Sequence, residues 1–393
     1  MKKLTVLFFA FTASTILPAE DTKRIPKYTD QPGHTVAKGI GTWRRINLSN
    51  KLSIEKDTIR KNYIDPKYYL CHYTKTPLSV DGILNEHQWK SVPWTDNFVD
   101  IFIRNKKPPL YKTRVKMLWD ETYFYFAAEM KESHIRAEYV KRDTVICLEN
   151  DFEIFFDPNG DNHEYFEFEM NALGTVWDLF LSRAYRDSVT PDNGWDIKGL
   201  LTGIKINGTL NNSADLDKNW ITEIAIPWTA FGEYARMPCP PLEDNQWRVN
   251  FLRVEYEPKI LNGKYYKDET KLTDNSVWSP HQSGGMHDPE SFGIVQFTRK
   301  PFGQGKIIPD TSVAARSILM QIYFAQKKYF ADYKRYANSI RELGLVYIGE
   351  KDISLIENIE VIGGGYIAAV EIKRGSKKGL WHINQVSKIW HAR

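Results

Sequence analysis

Acidic and amide side chains alternate with aromatic ones in two short segments of this chain. One reads D-F-E-I-F-F-D from Asp151, and the other reads Y-F-E-F-E-M-N from Tyr165. Successive side chains of a β-strand point to opposite faces, so Glu167 and Glu169 would share one face and apolar residues the other. Carboxylates and amides can hydrogen-bond sugar hydroxyls, and flat aromatic rings can cover the apolar side of a sugar. The pattern therefore predicts a sheet face that contacts either water or a polar ligand such as a sugar.

Carboxylates of this kind could also hydrolyse a glycosidic bond, which requires two of them about 5–10 Å apart. The candidates are Glu153, Glu167, Glu169 and Asp178. The sequence has no Gly-x-Ser-x-Gly elbow, no His-Glu-x-x-His pair and no phosphate-binding loop. Enzymatic activity is therefore left open, and a non-catalytic binding role is favoured.

Oxygen-bearing side chains also alternate through a turn, at Asp157, Asn159 and Asp161. Oxygen ligands at alternate positions of a turn can surround one calcium ion. No Glu follows where a complete EF-hand loop would need it, so a plain hairpin turn rich in Asp and Asn is the alternative. Calcium is the only cofactor that the sequence suggests.

The elements that would position these residues are short strands. Two hairpins are predicted, the first with strands Thr113–Leu118 and Tyr123–Glu129, the second with Phe152–Phe156 and Tyr165–Asn171 on either side of the Asp-rich turn. Further strands are predicted at Gly203–Asn207, Trp220–Ile226, Arg248–Tyr256 and Gly293–Phe297. Strands at this spacing, with few helical patterns between them, predict an all-β fold, an antiparallel β-sandwich over residues 69–300.

Composition changes after Pro301, where a small α+β module is predicted for residues 301–393. Apolar and aromatic residues recur every three or four positions from Thr311 to about Leu343, which predicts a long helix ended by Gly344. Antiparallel strands are predicted after it, at Ser354–Val361, Tyr366–Arg374 and Leu380–Ile389.

The N-terminus predicts export. Two lysines precede an apolar run that ends near Leu17, which is typical of a signal peptide, here residues 1–19. Residues 20–68 are polar and basic, and an extended segment lying over the next domain is predicted, with a disordered linker as the alternative. No later apolar run has membrane length, so we expect a periplasmic or extracellular protein without a membrane span.

The overall composition restricts the class of molecule that this protein could bind. Aromatic residues make up 13% of the 393 residues, which favours β-structure and contact with carbohydrate. The net charge is only +4 and no long block of Lys or Arg occurs, which argues against nucleic acid. The sequence does not indicate an oligomeric state. The three widely spaced cysteines give no metal signature. Buried thiols are predicted at Cys71, Cys147 and Cys239, with one disulfide and one free cysteine as the alternative.

Residues from about 69 to 299 resemble carbohydrate-binding module family 9 and its secreted relatives. The resemblance rests on the order and spacing of several short motifs rather than on any one of them. These motifs are D-G (81–82), L-W-D (118–120), D-F-E-I-F-F-D (151–157), N-A-L-G (171–174), W-D (177–178), E-I-A-I-P-W (223–228), W-R-V-N-F-L-R-V-E (247–255), W-S-P (278–280) and H-D-P (287–289).

The resemblance implies a β-sandwich that binds sugars, with calcium in the fold. Xylan-binding members hold a terminal sugar between two Trp rings, with Glu, Asn and Arg as hydrogen-bonding partners. Trp278 matches one of those rings, whereas the stretch before Asp151 lacks the second. Candidate ligand-binding residues on this basis are Trp278, Glu153, Asn171, Arg253, His287 and Trp177.

Several of these residues also have purely structural interpretations. Trp278 could belong to the core, and His287 could be an ordinary loop histidine. Arg253 could form a buried ion pair with Glu153 or Glu255.

Together these patterns predict a secreted, non-catalytic protein that binds a poly- or oligosaccharide. One alternative is a glycoside hydrolase or lyase acting in carbohydrate catabolism. The other is a structural or adhesive surface protein, because the segment from Gln321 to Tyr336 faintly resembles type IV pilin-like proteins.

Overall fold

The computed structural model describes residues 57–59, 64–101, 107–281, 285–347, 352–374 and 377–392. The predicted signal peptide at 1–19 and most of the predicted segment at 20–68 lie outside this range. No helix within the described residues is both long and apolar enough to cross a membrane.

Strands dominate the described chain, and helices are few. The two α-helices are α1 (His87–Ser91) and α2 (Val313–Tyr333). The strands up to the middle of the chain are β1 (Asp57–Ile59), β2 (Tyr68–Tyr73), β3 (Val99–Asp100), β4 (Thr113–Trp119), β5 (Tyr123–Lys131), β6 (Asp151–Asp157), β7 (Tyr165–Met170), β8 (Val176–Leu181), β9 (Leu201–Asn207) and β10 (Asn219–Pro227). The later strands are β11 (Gln246–Glu255), β12 (Pro258–Leu261), β13 (Lys264–Lys267), β14 (Asp274–Val277), β15 (Gly293–Thr298), β16 (Leu345–Tyr347), β17 (Ile353–Leu355), β18 (Glu360–Ile362), β19 (Gly365–Arg374), β20 (Lys377–Asn384) and β21 (Ile389–Ala392).

Twelve of these strands form one curled sheet, which gives the β-sandwich character that the sequence predicts. Its main path runs β8-β7-β6-β11-β15-β2-β4-β5-β10-β9, and β14 and β3 extend it beside β11. Both predicted hairpins are confirmed, since β4 pairs with β5 and β6 with β7, antiparallel in each case. The expectation of a purely antiparallel sheet is wrong at β2, which pairs in parallel with both β15 and β4.

The interior of the curled sheet is an aromatic core. Buried rings contact one another edge to face or stacked, as in the Trp228–Trp247 pair with centroids 5.5 Å apart. Rings of this core include Trp119, Phe124, Phe126, Phe156, Trp228, Phe231, Trp247, Phe251 and Phe297.

Strands β6 and β7 are buried on both faces. Every residue of these two strands is buried. Phe152, Ile154 and Phe156 contact the aromatic core, while the opposite face of the same sheet is covered by a second cluster that includes Ile146, Met286 and Phe292. The face that carries Glu167 and Glu169 therefore contacts protein rather than bulk water.

The C-terminal residues contain helix α2 and a five-stranded sheet, formed by β17 to β21, against which the helix packs. The helix is shorter than the predicted Thr311–Leu343. It ends because Lys334 adopts a left-handed conformation (φ 57°) and its N–H donates to the Phe330 carbonyl. The predicted strands 354–361 and 380–389 are each divided in two by a turn.

Candidate functional site

The six candidate ligand residues are all buried, and the sheet divides them between its two faces. Across the β6–β11 ladder, Glu153 lies opposite Leu252, and Phe152 lies opposite Arg253. Residues directly opposite each other share a face, so Arg253 points to the aromatic core and Glu153 to the other side. Because Trp278 also belongs to the aromatic core, the structure does not bring it or Arg253 together with Glu153.

Trp278 is a core residue in its contacts. Its side chain is 2% exposed and packs against Phe251, with ring centroids 5.7 Å apart. The ring also lies directly on Gly293, where an added Cβ would be 2.4 Å from the ring carbon Cζ3. A stacking role for Trp278 therefore stays a prediction, and this placement leaves the ring no exposed face for a sugar.

Asn171 uses its side-chain amide to hold the turn after β7. Its Nδ2 donates to the Tyr139 carbonyl and to Glu149 Oε1, at 2.8 and 2.6 Å. Its Oδ1 accepts from the backbone N–H groups of Leu173 and Thr175, both at 3.0 Å. Because these bonds engage the amide on both sides, a sugar contact would have to replace one of them.

Arg253 forms a buried ion pair, the structural interpretation that the sequence left open. Its Nη2 donates to Glu255, at 2.6 Å, and to Glu132. The guanidinium also lies over the ring of Trp220, 5.3 Å from its centroid. Of the two partners expected from the sequence, Glu255 is the one observed.

His287 and Trp177 lie on the same covered face as Glu153. The His287 ring makes an edge contact with Tyr185 and has its Nδ1 3.0 Å from the Tyr165 hydroxyl. Burial lowers the pKa of His287 to about 3, so the ring is neutral. Trp177 is 1% exposed and donates its Nε1 hydrogen to Asn193.

Buried carboxylates form a cluster at the centre of this covered face. Glu153 lies opposite Glu169 in the β6–β7 ladder, and oxygens of Asp151, Glu153 and Glu169 lie within 4.8 Å of one another. Glu167 lies one pleat further along β7 on the same face. The sequence pattern indicates Glu153, Glu167 and Glu169 as candidate carboxylates. Asp151 is not among them, although its alternation with Glu153 places it on the same face.

The electrostatics of this acidic cluster are unusual. Burial and the charge of Glu153 raise the pKa of Asp151 well above its ordinary range, while Arg253 and the Val254 N–H oppose this. Neither oxygen of Asp151 accepts a hydrogen bond of normal geometry. Burial likewise raises the pKa of Glu167 to about 8, and the Asp151 charge adds to that effect. The cluster therefore either gains protons or requires a cation.

The Asp-rich turn after β6 uses most of its oxygens to stabilise itself. Asp157 Oδ2 accepts from the Asn162 N–H, and Asn159 Oδ1 accepts from the Asp161 N–H. Asp161 accepts from the His163 N–H and pairs with Lys388, 3.3 Å away. Calcium at Asp157, Asn159 and Asp161 stays a prediction. The observed hydrogen bonds are those of a plain hairpin turn rich in Asp and Asn, which is the alternative to a calcium site.

An open cleft of about 450 Å³ lies between the sandwich and the C-terminal sheet. This volume is within the range of small-molecule sites in proteins, roughly 300–1,000 Å³. Residues that line it include Asn159, Gln246, Arg248, Arg316, Lys378 and Trp381. No sequence pattern indicates this cleft, because its walls come from segments more than 200 residues apart.

Comparisons with known proteins give a family and distant structural relatives. A comparison with curated proteins gave no match. A putative carbohydrate-binding protein from Bacteroides uniformis ATCC 8492 is 16% identical, with a TM-score of 0.43, over 59% of this chain and 100% of that one.

A carbohydrate binding module family 9 from Caldicellulosiruptor kristjanssonii, solved with cellotriose and with glucose, is 17% identical. Its TM-score is 0.39 over 62% of this chain and 100% of that one. Residues 80–299 match the family model described as carbohydrate family 9 binding domain-like. Because that match spans more than half of the 393 residues, this chain belongs to the carbohydrate family 9 binding domain-like family.

Proposed function

We propose that this protein is exported and binds a poly- or oligosaccharide without cleaving it. The observation that carries the proposal is the family to which residues 80–299 belong. Export rests on the lysines and apolar run of residues 1–19.

The surroundings of the carboxylates favour binding over hydrolysis. A glycosidase needs two carboxyl groups on either side of an accessible glycosidic bond. Glu153, Glu167 and Glu169 are at most 2% exposed, under the segment that contains Ile146 and Cys147. A sugar chain has no path between them in this conformation, so hydrolysis is kept only as an outcome of the test.

We place the sugar in the open cleft rather than on the covered face. The cleft is lined by the polar side chains of Gln246, which donates to the Ile308 carbonyl, and Arg248, which pairs with Asp310, beside the half-buried ring of Trp381. Arg316 lies over one side of that ring, 4.7 Å from its centroid, and holds it in place. Polar groups beside a fixed aromatic ring are the combination that recognises a sugar.

The test is a glycan array followed by affinity electrophoresis of the full chain and its variants. Trp381→Ala should weaken binding of the selected glycan about tenfold, which corresponds to about 1.4 kcal/mol of lost contact. The matched control is Trp390→Ala, because Trp390 lies on the neighbouring strand, stacks on His382 and does not line the cleft.

Absence of binding to every glycan would refute the function. If binding is lost in Glu153→Gln but kept in Trp381→Ala, the covered face and not the cleft is the sugar site. Release of reducing sugar that is abolished by Glu153→Gln would establish the hydrolase alternative instead.

A further inference from the structure

The open cleft between the sandwich and the C-terminal sheet carries more positive than negative charge. The charged side chains that line it are those of Arg248, Arg316 and Lys378, which are basic, and of Asp310, which is acidic. Lys378 pairs with Glu371, 3.2 Å away, so the balance is set mainly by two arginines against one carboxylate. A cleft with such an excess of positive charge attracts anions.

The single carboxylate pairs with only one of the two arginines. Asp310 Oδ2 lies 3.0 Å from Arg248 Nη2, while its Oδ1 accepts from the backbone N–H and the hydroxyl of Ser312. Arg316 donates to Ser312 Oγ at 3.0 Å and to the Gly160 carbonyl, which are neutral acceptors. Among the residues that the structure describes, no carboxylate lies at ion-pair distance from Arg316.

Carboxylates further from Arg316 do not supply the missing negative charge. Asp157 and Asp161 belong to the adjacent turn, but burial raises the pKa of Asp157 to about 7, and Asp161 pairs with Lys388. Burial lowers the pKa of Arg316 to about 10, the charge of Arg248 adds to this effect, and the nearby carboxylates oppose it only in part. An anion that reaches this guanidinium would therefore stabilise its charged form.

We propose that the cleft selects an acidic sugar and places its carboxylate or sulfate group against Arg316, beside the ring of Trp381. This inference rests on the proposed function, because it names the class of glycan that the same cleft would bind. Hydrogen bonds from a guanidinium to an anionic oxygen are roughly twice as strong as those between neutral groups, so a neutral sugar would gain less at this position. Arg316 lies 4.7 Å from the centroid of the Trp381 ring, so one sugar unit can reach both side chains.

The test compares acidic oligosaccharides with their neutral counterparts by isothermal titration calorimetry on the full chain. The probes are oligogalacturonate and oligomannuronate with their methyl esters, which test the carboxylate, and sulfated and desulfated chondroitin oligosaccharides, which test the sulfate. At least one acidic probe should bind about tenfold more tightly than its counterpart at low salt, and sodium chloride should reduce this preference.

Arg316→Gln should abolish the preference for the acidic probe. The matched control is Arg335→Gln, which removes the same charge just after helix α2, where Arg335 pairs with Glu342 and does not line the cleft. This control should retain the preference of the wild type.

Asp310→Asn should have the opposite effect, which a loss of folding cannot imitate. It removes the competing negative charge from the cleft, and the amide oxygen of the new side chain can still accept from Ser312. Binding of the acidic probe should therefore become roughly fivefold tighter.

Equal affinity for every acidic probe and its counterpart would overturn the inference while leaving glycan binding intact, as would an array that selects neutral glycans only. A preference that survives Arg316→Gln, or that does not increase in Asp310→Asn, would also overturn it. Absence of binding to every glycan refutes the proposed function itself, and this inference with it.

Discussion

Trp278 shows how the surroundings of a residue decide its role. Its type and its W-S-P motif fit a sugar-stacking ring, but the ring is buried against Phe251 and the backbone of Gly293. Glycine at 293 is explained by this contact, because a larger residue would meet the indole. Trp278 and Gly293 therefore pack against each other as a pair within the aromatic core.

A double-mutant cycle on this pair tests the packing role. Trp278→Leu should lower the free energy of unfolding by about 3 kcal/mol, through the cavity it leaves. Gly293→Ala should cost about 1–3 kcal/mol, because the ring must move. In the double mutant the alanine methyl group fills part of the cavity, so the loss measured by urea denaturation should be about 1 kcal/mol smaller than the sum. Additive losses would contradict the contact.

Single residues were predicted well where chemistry limits the options. A buried Arg needs a carboxylate, and the sequence offers Glu153 or Glu255 to Arg253. Glu255 is an observed partner, together with Glu132, and Glu153 is not. The sheet face to which each side chain points is harder to predict. Glu153 and Arg253 belong to different strands, and whether they share a face depends on the β6–β11 register, which no local pattern specifies.

Glu223 on β10 connects this strand to the segment before α1. Its carboxylate accepts from the backbone N–H groups of Asp81 and Gly82, at 3.0 and 2.7 Å, and from Trp89 Nε1, at 2.6 Å. Gly82 and Gly203 pass so close that a Cβ on either would overlap backbone atoms of the other segment. The D-G motif at 81–82 and the E-I-A-I-P-W motif at 223–228 therefore meet in one contact between β10 and the segment before α1. This contact is called the joint below.

This joint predicts a pH dependence. Burial raises the pKa of Glu223 to about 7 from an ordinary value of 4.5, although the three N–H donors oppose that shift. The folded state then holds more protons than the unfolded state between these two values, so stability falls as pH rises through this range. The free energy of unfolding of the wild type, relative to Glu223→Gln, should decrease from about pH 5 to pH 7.

The control for this prediction is Glu121→Gln. The hydrogen bond from Arg299 lowers the pKa of Glu121, so its comparison with the wild type should show no such decrease. A flat or rising difference for Glu223→Gln between pH 5 and 7 would mean that the three donors keep the carboxylate ionised throughout.

Elements formed by local contacts were predicted from the sequence, and those formed by distant contacts were not. The β4–β5 and β6–β7 hairpins join neighbouring segments, and their alternation and turn residues identify them. The parallel pairing of β2 with β15 joins residues more than 200 positions apart, which leaves no local signal. The predicted C-terminal helix is too long because the periodic pattern continues past Lys334, where the backbone turns.

At the scale of the whole molecule, the C-terminal part is attached to the sandwich through buried polar contacts. Asp187 follows β8 and accepts from the Tyr323 hydroxyl, from Lys327 Nζ at 3.0 Å and from Ser387 Oγ at 2.7 Å. Burial alone would raise the pKa of Asp187, but the charges of Arg186 and Lys327 outweigh it and lower the pKa overall. One ionised carboxylate thus holds helix α2 and the β20–β21 turn against the sandwich.

Removal of this carboxylate should loosen the C-terminal part selectively. Asp187→Ala leaves Tyr323 and Ser387 without their shared acceptor, and we expect a loss of about 3 kcal/mol in the free energy of unfolding. Hydrogen exchange followed by mass spectrometry should show faster exchange in α2 and β20 than in the β4–β5 hairpin, which lies away from the interface. As a control, Glu371→Gln on β19 of the C-terminal sheet should leave the exchange rates of both regions unchanged. If Asp187→Ala speeds exchange equally in the hairpin and the helix, the two parts unfold as one cooperative unit, and Asp187 supports the whole molecule rather than only the attachment of its C-terminal part.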